Sequence, residues 1–258
     1  MNTLRTRQWE RLAAPVPPVG SFDPDDVADL PAPAQRLLDH ALAPGVALTP
    51  TVVLTMVGEI RVRRWMPFRA RQVLRAGTGF LWAPRVGRLP LTITGADTRL
   101  DGRGTLDFRL WGLLPVARAS GADTDQSTAG RLAAETVVWL PQALTPAMGA
   151  TWTAVDDRRA TVHLPIDADR VDVTVTVDDD GRLRDLALLR WGDPDDRPFG
   201  EHPFGGDVVR VETFDGVTIA TDGRVGWWWG TPAQDDSVFF RYHVTAAEFP
   251  VASPSGQA

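Results

Sequence analysis

The feature of this sequence that most constrains its fold is an alternation of apolar and polar residues that recurs in several separate runs. In the clearest run, residues 171–177 place a valine at every second position, with Asp or Thr between the valines. Residues 68–75 alternate in the same way, with arginines on one face. Because successive side chains of a strand point to opposite faces, each run predicts a β-strand with one face on a core.

Turn signals rich in Gly, Asp or Pro separate these runs, at 77–79, 84–87, 95–97, 101–104, 179–181, 215–216 and 221–223. Short turns between alternating runs are typical of antiparallel hairpins. About ten strands without repeated strand–helix alternation predict a mainly β (α+β) fold. We expect a large curved antiparallel sheet or half-barrel, with a few helices packed on its concave side.

The chain is predicted to have two parts. Residues 1–33 form an N-terminal helix, around Thr3 to Leu12, and a lead-in rich in Pro and Asp. Residues 34–258 form a single antiparallel β-rich domain with a helical insert near 128–148, for which Ser127 or Thr128 is the candidate cap. The N-terminal part is expected either to cover the mouth of the barrel or to pair with another subunit.

Composition excludes several classes of chemistry. All 27 basic residues are arginine and there is no cysteine, so lysine Schiff bases, phosphate-loop lysines, thiolate nucleophiles and cysteine metal sites are ruled out. The four histidines lie far apart, and no metal site or cofactor is predicted. A formal charge of −6 argues against nucleic-acid binding. No transmembrane span or secretion signal is recognised, so a cytoplasmic location is expected.

One helical constellation carries candidate chemistry. Arg131, Glu135 and Trp139 recur at spacings of four, which places them in a row on one helix face. If that face meets the concave side of the sheet, Glu135 with Arg131 beside it is suited to general acid–base catalysis. The alternative is an ion pair that fixes the helix on the sheet.

A set of strand residues suggests a binding cavity. Gln72 lies in an otherwise apolar row, so its amide needs a partner, a water or a ligand. The ten tryptophans are numerous for an ordinary core; they either line a cavity or fill the centre of a wide sheet. The predicted ligand-binding residues are Gln72, Trp82, Trp139, Phe68 and Phe80.

The order of several short motifs resembles a bacterial domain family of unknown function. The motifs are W-x-P-F-x-A-x-Q at 65–72, F-x-W at 80–82 and R-x-x-x-E-x-x-x-W-x-P at 131–141. The helix of that family typically reads Arg-Tyr-Leu-x-Glu, whereas Leu132 and Ala133 stand here. The resemblance implies a curved antiparallel sheet like that of lipoprotein carriers, which hold an acyl chain between sheet and helices.

Two classes of function follow from these features. In the first, the chain binds a hydrophobic small molecule or lipid-like ligand in a Trp-rich cavity between sheet and helices, with arginine contacting an anionic head group. In the second, it is a cofactor-independent enzyme, a cyclase, isomerase or hydrolase, that acts on an apolar metabolite with Glu135 as the acid or base. The sequence leaves the oligomeric state open.

Overall fold

A computed structural model of the chain describes residues 3–167 and 169–252. Residues 1–2 of the predicted N-terminal part, and residues 168 and 253–258 of the predicted β-rich domain, lie outside the described residues. The helices are α1 (Thr3–Ala13), α2 (Ala32–Ala41), α3 (Ala122–Trp139) and α4 (Gln234–Ser237). The strands are β1 (Thr51–Arg61), β2 (Trp65–Arg75), β3 (Gly79–Arg88), β4 (Leu91–Leu100), β5 (Arg103–Leu110), β6 (Leu114–Ser120), β7 (Thr151–Ala154), β8 (Arg159–Ile166), β9 (Asp169–Val177), β10 (Leu183–Gly192), β11 (Gly200–Phe214), β12 (Val217–Trp227) and β13 (Val238–Glu248).

All thirteen strands belong to one antiparallel sheet, in the order β6-β5-β4-β3-β2-β1-β13-β12-β11-β10-β9-β8-β7. Two meanders, β1–β6 and β7–β13, are therefore joined side by side where β1 pairs with β13. A sheet of more than about ten strands curls rather than staying flat. The sheet is not closed, and the expectation of a mainly β, curved antiparallel sheet with a few helices is confirmed.

Helix α3 connects β6 to β7, the two edges of the sheet, and packs across its inner face against β10, β5, β9 and β4. It begins at Ala122, six residues before the predicted Thr128 cap. Asp123 and Asp125 in its first turn favour an earlier start because carboxylates stabilise helix N-termini. Thr128 lies inside the helix, where its hydroxyl donates to the carbonyl oxygen of Thr124 at 2.8 Å. Two short 3₁₀ turns, Pro141–Leu144 and Pro146–Met148, complete the insert.

A buried arginine, Arg99, fixes the first half of α3 on the sheet. Arg99 on β4 is 2% exposed, and its guanidinium donates to the hydroxyl of Thr128 at 3.1 Å and to the carbonyl oxygen of Asp125. The same guanidinium pairs with the carboxylate of Asp167. The helix is thereby fixed in rotation as well as in position.

Helix α1 lies where the N-terminal helix is expected, and it packs on the outer face of the sheet rather than across the inner face. Its Leu12 is buried in a small second core with Val53, Val73, Leu81 and Ala96. The guanidinium of Arg71 covers the ring of Trp9 at 4.9 Å. The N-terminal segment therefore shields the back of β1–β4. Within the described chain, no helix has the length and apolar character needed to cross a membrane.

The turns expected at residues 84–87, 95–97 and 221–223 are wrong, because β3, β4 and β12 continue through them. In the second case, β4 continues to Leu100. Gly95 pairs with Phe108 on β5, and a Cβ at Gly95 would lie 2.2 Å from the carbonyl oxygen of Asp107 and 2.5 Å from the Phe108 ring. Glycine is needed here for close approach to β5 rather than for a turn. The uninterrupted strand carries Asp97 to the inner face.

Candidate functional site

A cavity of about 330 Å³ lies between α3 and the inner face of the sheet. Most of its wall is aromatic or aliphatic, from Ile60, Trp82, Leu106, Phe108, Ala134, Val138, Trp139, Leu186, Phe204, Val225, Trp227, Phe239, Phe240 and Tyr242. Its charged lining residues are Asp97, Arg131, Glu135, Arg190, Asp207 and Arg224. The site is therefore an apolar chamber with a few charged groups on its wall, which is the usual composition of a small-molecule pocket.

Arg131 is paired with two carboxylates. Its Nε donates to Oε1 of Glu135 at 2.7 Å, one helical turn along α3, and its Nη1 donates to Oδ2 of Asp97 on β4. None of these three side chains exposes more than 16% of its surface. The guanidinium also lies 4.5 Å from the ring centre of Phe80. Burial opposes its charge, but Glu135 and Asp97 together raise the pKa of Arg131.

Both carboxylate oxygens of Glu135 are occupied. Oε1 accepts from Arg131, and Oε2 accepts from Nε2 of Gln72 at 2.6 Å. Burial raises the pKa of Glu135, although Arg131 and Gln72 act in the opposite direction. Glu135 thus links α3 to β2 while it contributes to the cavity wall.

Arg190 reaches the cavity from β10 and differs from Arg131 in its partners. Its Nε and Nη2 donate to the backbone oxygen and the hydroxyl of Ser127, at 3.1 and 3.3 Å. Its guanidinium lies 4.5 Å from the ring centre of Phe204 and 5.2 Å from that of Trp227. Among the described residues, no carboxylate lies within 4 Å of Arg190. Burial, and then repulsion from Arg131, lower the pKa of Arg190 to about 10 against the opposing attraction of Asp97 and Glu135, so the side chain is charged at neutral pH.

Three polar atoms beside this network have no hydrogen-bond partner among the described residues: Trp82 Nε1, Asp97 Oδ1 and Gln72 Oε1. Trp82 and Asp97 face each other across β3 and β4, and both line the cavity. A buried unpaired donor or acceptor costs about 1–3 kcal/mol, so such atoms normally meet a water or a ligand. This side of the cavity can therefore accept a polar group.

Elsewhere on the wall the charges are already balanced. Arg224 on β12 donates from Nε to Oδ2 of Asp207 on β11 at 2.9 Å. Tyr242 on β13 packs edge-on against Trp139, with ring centres 5.3 Å apart, and burial raises the pKa of its hydroxyl. The three guanidiniums and three carboxylates of the wall sum to zero, and Arg190 is the one cation among them without a carboxylate within 4 Å in the described part of the chain.

The structure divides the residues singled out in the sequence into two groups. Glu135, Arg131, Trp82 and Trp139 line the cavity. Gln72, Phe68 and Phe80 do not line it but support residues that do. Gln72 binds Glu135. Phe80 lies under Arg131, and Phe68 contacts Trp82 edge-on with ring centres 5.7 Å apart. Within the described chain, no group of three His, Asp or Glu side chains is placed to hold a metal ion.

Sequence reasoning missed Arg190 and Asp97, although a signal exists for the first. Leu186, Leu188 and Arg190 alternate along β10 and share the inner face, so Arg190 interrupts an apolar row just as Gln72 does on β2. Asp97 gave no such signal, because Gly95, two residues before it, predicts a turn and so conceals that β4 continues to Leu100. Among the three consecutive tryptophans at 227–229, Trp227 is the last residue of β12 and lines the cavity. Trp228 and Trp229 follow the end of the strand and do not line this cavity.

Comparison with known proteins gives one family match. The model of a family of unknown function, DUF6544, matches residues 20–241. This match confirms the resemblance based on the motifs at 65–72, 80–82 and 131–141. A search of curated proteins gave no significant match.

Several solved structures share a similar arrangement at low sequence identity. A putative outer membrane lipoprotein-sorting protein domain from Vibrio parahaemolyticus is 8% identical, with a TM-score of 0.41 over 80% of this chain and 87% of that chain. A LolA superfamily protein from Nitrosomonas europaea is 7% identical, with a TM-score of 0.43 over 86% and 94%. A DUF1329 family protein from Desulfovibrio piger is 12% identical, with a TM-score of 0.42 over 87% and 95%.

Proposed function

The chain belongs to the DUF6544 family of unknown function, and on that premise we propose that it binds a small hydrophobic molecule with one carboxylate group in the cavity under α3. The observation that carries this proposal is Arg190, a partly buried cation on a mainly apolar wall with no carboxylate within 4 Å among the described residues. A charge in such surroundings is normally compensated by a counter-ion. A ligand carboxylate supplies that counter-ion.

The shape and lining of the cavity support an apolar body for this ligand. A volume of about 330 Å³ is at the small end of the range found for ligand pockets, about 300–1,000 Å³. Its aromatic wall suits aliphatic or aromatic groups, which gain free energy in proportion to the apolar area that they bury. A medium-chain acid fits these properties better than a sugar or a nucleotide does.

The placement of the charges supports a single carboxylate on the ligand. The wall charges sum to zero, but Arg131 and Arg224 each contact a carboxylate directly and Arg190 does not. Ser127 accepts from Nε and Nη2 of Arg190, and Nη1 makes no hydrogen bond to a described residue. One guanidinium with one open edge matches one carboxylate, whereas a phosphate dianion would leave a buried negative charge unpaired.

The hydrogen bonds of Glu135 favour binding over acid–base catalysis. Both of its oxygens accept protein hydrogen bonds, from Gln72 and Arg131, and proton transfer to a substrate would require at least one of these to be released. The unpaired atoms of Trp82 and Asp97 instead offer a donor and an acceptor to a second polar group, such as a ligand hydroxyl.

Native mass spectrometry of the purified full-length protein tests this proposal. The expected result is a bound species that is released on denaturation and is identified as a hydrophobic monocarboxylic acid. Apo protein that takes up neither a medium-chain acid nor its alcohol when these are added would contradict it.

A further inference from the structure

Three neighbouring hairpin turns form a surface separate from the cavity lining. The turns β1–β2, β3–β4 and β5–β6 lie at the same end of the sheet, because alternate turns of a meander point the same way. The last two of these turns are in contact: the backbone N–H of Trp111 donates to the carbonyl oxygen of Thr92 at 2.9 Å, and its indole donates to that of Pro90. We call residues 61–65, 88–91 and 110–116 the tip surface.

The tip surface exposes large apolar side chains. Leu89 is 81% exposed, Leu113 74% and Trp111 54%. Val62, Leu91, Leu114 and Val116 are exposed as well. Half of the exposed large hydrophobic residues in the described chain lie on these three turns. Such clustering, unlike scattered exposure, marks an interaction site.

The tip surface is also positively charged in a chain whose formal charge is −6. It contains Arg61, Arg63, Arg64 and Arg88 and no acidic residue. In the part of the chain that the structure describes, no carboxylate lies within 4 Å of these four side chains. Arg61 donates instead to the backbone oxygen of Asp236 at 2.6 Å. The surface ends there, since Asp235 and Asp236 make the neighbouring β12–β13 turn acidic.

We propose that the tip surface docks on the surface of an anionic lipid bilayer. Leucine and tryptophan side chains at convex turns can enter the interface between head groups and acyl chains. Arginines beside them attract anionic head groups, with a contribution of about 1 kcal/mol per basic residue near the surface. Three convex turns with unpaired cations complement a flat negative surface, whereas a protein helix or peptide would need a groove.

Docking in this way places the cavity next to the bilayer. Ile60, which precedes the β1–β2 turn, and Phe108, which precedes the β5–β6 turn, both line the cavity. The docking proposal does not depend on the identity of the ligand, because Arg190 lies on β10 in the other meander.

Vesicle co-sedimentation with the full-length protein tests the proposal. The wild-type protein should sediment with vesicles of phosphatidylcholine mixed with phosphatidylglycerol, and much less with phosphatidylcholine alone. Arg63→Glu/Arg64→Glu should weaken binding to the mixed vesicles by about tenfold or more. Leu89→Ser/Leu113→Ser should weaken it by a similar factor, since two inserting side chains are lost.

Matched controls carry the same changes away from the tips. Leu189→Ser/Val209→Ser alters side chains that are 61% and 69% exposed, and Arg103→Glu/Arg184→Glu alters exposed arginines at the opposite end of the sheet. Both should sediment like wild type, as should Arg190→Met, which removes the cation of the ligand site. Equal urea midpoints verify that the variants fold. Wild-type protein that stays in the supernatant with mixed vesicles, or tip variants that bind as well as the controls, would overturn the proposal.

Discussion

Arg131 and Arg190 line the same cavity from α3 and β10, but of the two only Arg131 has carboxylate partners among the described residues. Arg131 is held by Asp97 and Glu135, and its role is to join the helix to the sheet. Arg190 is held by a serine and two aromatic rings, and Asp97 and Glu135 act on its charge only from a distance, without an ion-pair contact. Arg131 therefore has a structural role in the site, and Arg190 has the proposed binding role.

Arg131→Met tests the structural part of this distinction. The substitution leaves Glu135 and Asp97 buried without their cation, and breaking a buried pair from one side costs about 3–5 kcal/mol. We expect urea unfolding to show a loss of that size. Arg118→Met, which removes an arginine 56% exposed and paired with Asp107, should cost less than about 1 kcal/mol. Similar losses of unfolding free energy for both variants would contradict the structural role of Arg131.

The pH dependence of stability tests the environment of Glu135. Because burial raises its folded-state pKa above the ordinary value of 4.5, the folded protein holds the proton more tightly than the unfolded chain does. Its contribution to stability is thus full below pH 4.5 and is lost as the pH rises through the raised pKa. The free energy of unfolding of wild type minus that of Glu135→Gln should fall with rising pH above 4.5. A difference that stays flat above pH 4.5 and falls as the pH is lowered below 4.5 would show that the pKa is lowered.

The same Glu135→Gln variant separates binding from catalysis. The amide keeps the size of the side chain, its one oxygen accepts from either Gln72 or Arg131, and Arg131 keeps Asp97, so ligand uptake should be preserved. If the protein proves to have an activity on an apolar metabolite, loss of turnover in this variant would identify Glu135 as its acid or base. Unchanged turnover would exclude that role.

Ala134→Phe tests whether the cavity is the binding site. Ala134 lies on α3 at the cavity wall and is buried. A phenyl group there occupies the space proposed for the ligand, so the affinities for octanoate and octanol should both fall by more than about tenfold. The melting temperature should stay equal or rise, because filling a cavity commonly adds about 0.5–2 kcal/mol. Retained affinity for both compounds would place the binding site elsewhere.

Gly95→Ala tests the packing behind the cavity. The new Cβ meets the Asp107 carbonyl and the Phe108 ring, so β5 or the ring must move. We expect a destabilisation of about 1–3 kcal/mol in urea unfolding, the usual cost of overpacking. Gly20→Ala is the matched control, since nothing lies within 4 Å of its Cβ. Equal stability of the two variants would be inconsistent with the described register of β4 and β5.

The fold could be predicted from the sequence because the period-two pattern and the turns between strands are local signals. Helix α3 was accessible too, through the spacing of Arg131, Glu135 and Trp139, but its start was not. Two signals compete for the start of α3. Thr128 resembles a helix cap, whereas Asp123 and Asp125 form the acidic first turn that the helix has in the structure. The side of the sheet covered by α1 depends on contacts between Leu12 and four distant strand residues, which no local pattern encodes.

The candidate site was accessible in part. Trp82, Trp139, Arg131 and Glu135 were identified from their types and spacing, and all four line the cavity. Gln72 was noticed because it interrupts an apolar row, and the same reasoning applied to Arg190 would have found the cavity's unpaired cation. Asp97 could not be found, because its place on the inner face depends on a strand that continues through a glycine.

The measurement that tests the proposed function most directly is calorimetric titration of wild type and Arg190→Met with octanoate and with octanol. These compounds differ in the head group while sharing the alkyl chain. Loss of a charge-assisted contact costs about 1.5–3 kcal/mol, so Arg190→Met should bind octanoate roughly 10–100-fold more weakly than wild type does. Its affinity for octanol should be unchanged within about twofold. Equal affinities of wild type and variant for octanoate, or an equal loss for both compounds, would contradict the proposed role of Arg190.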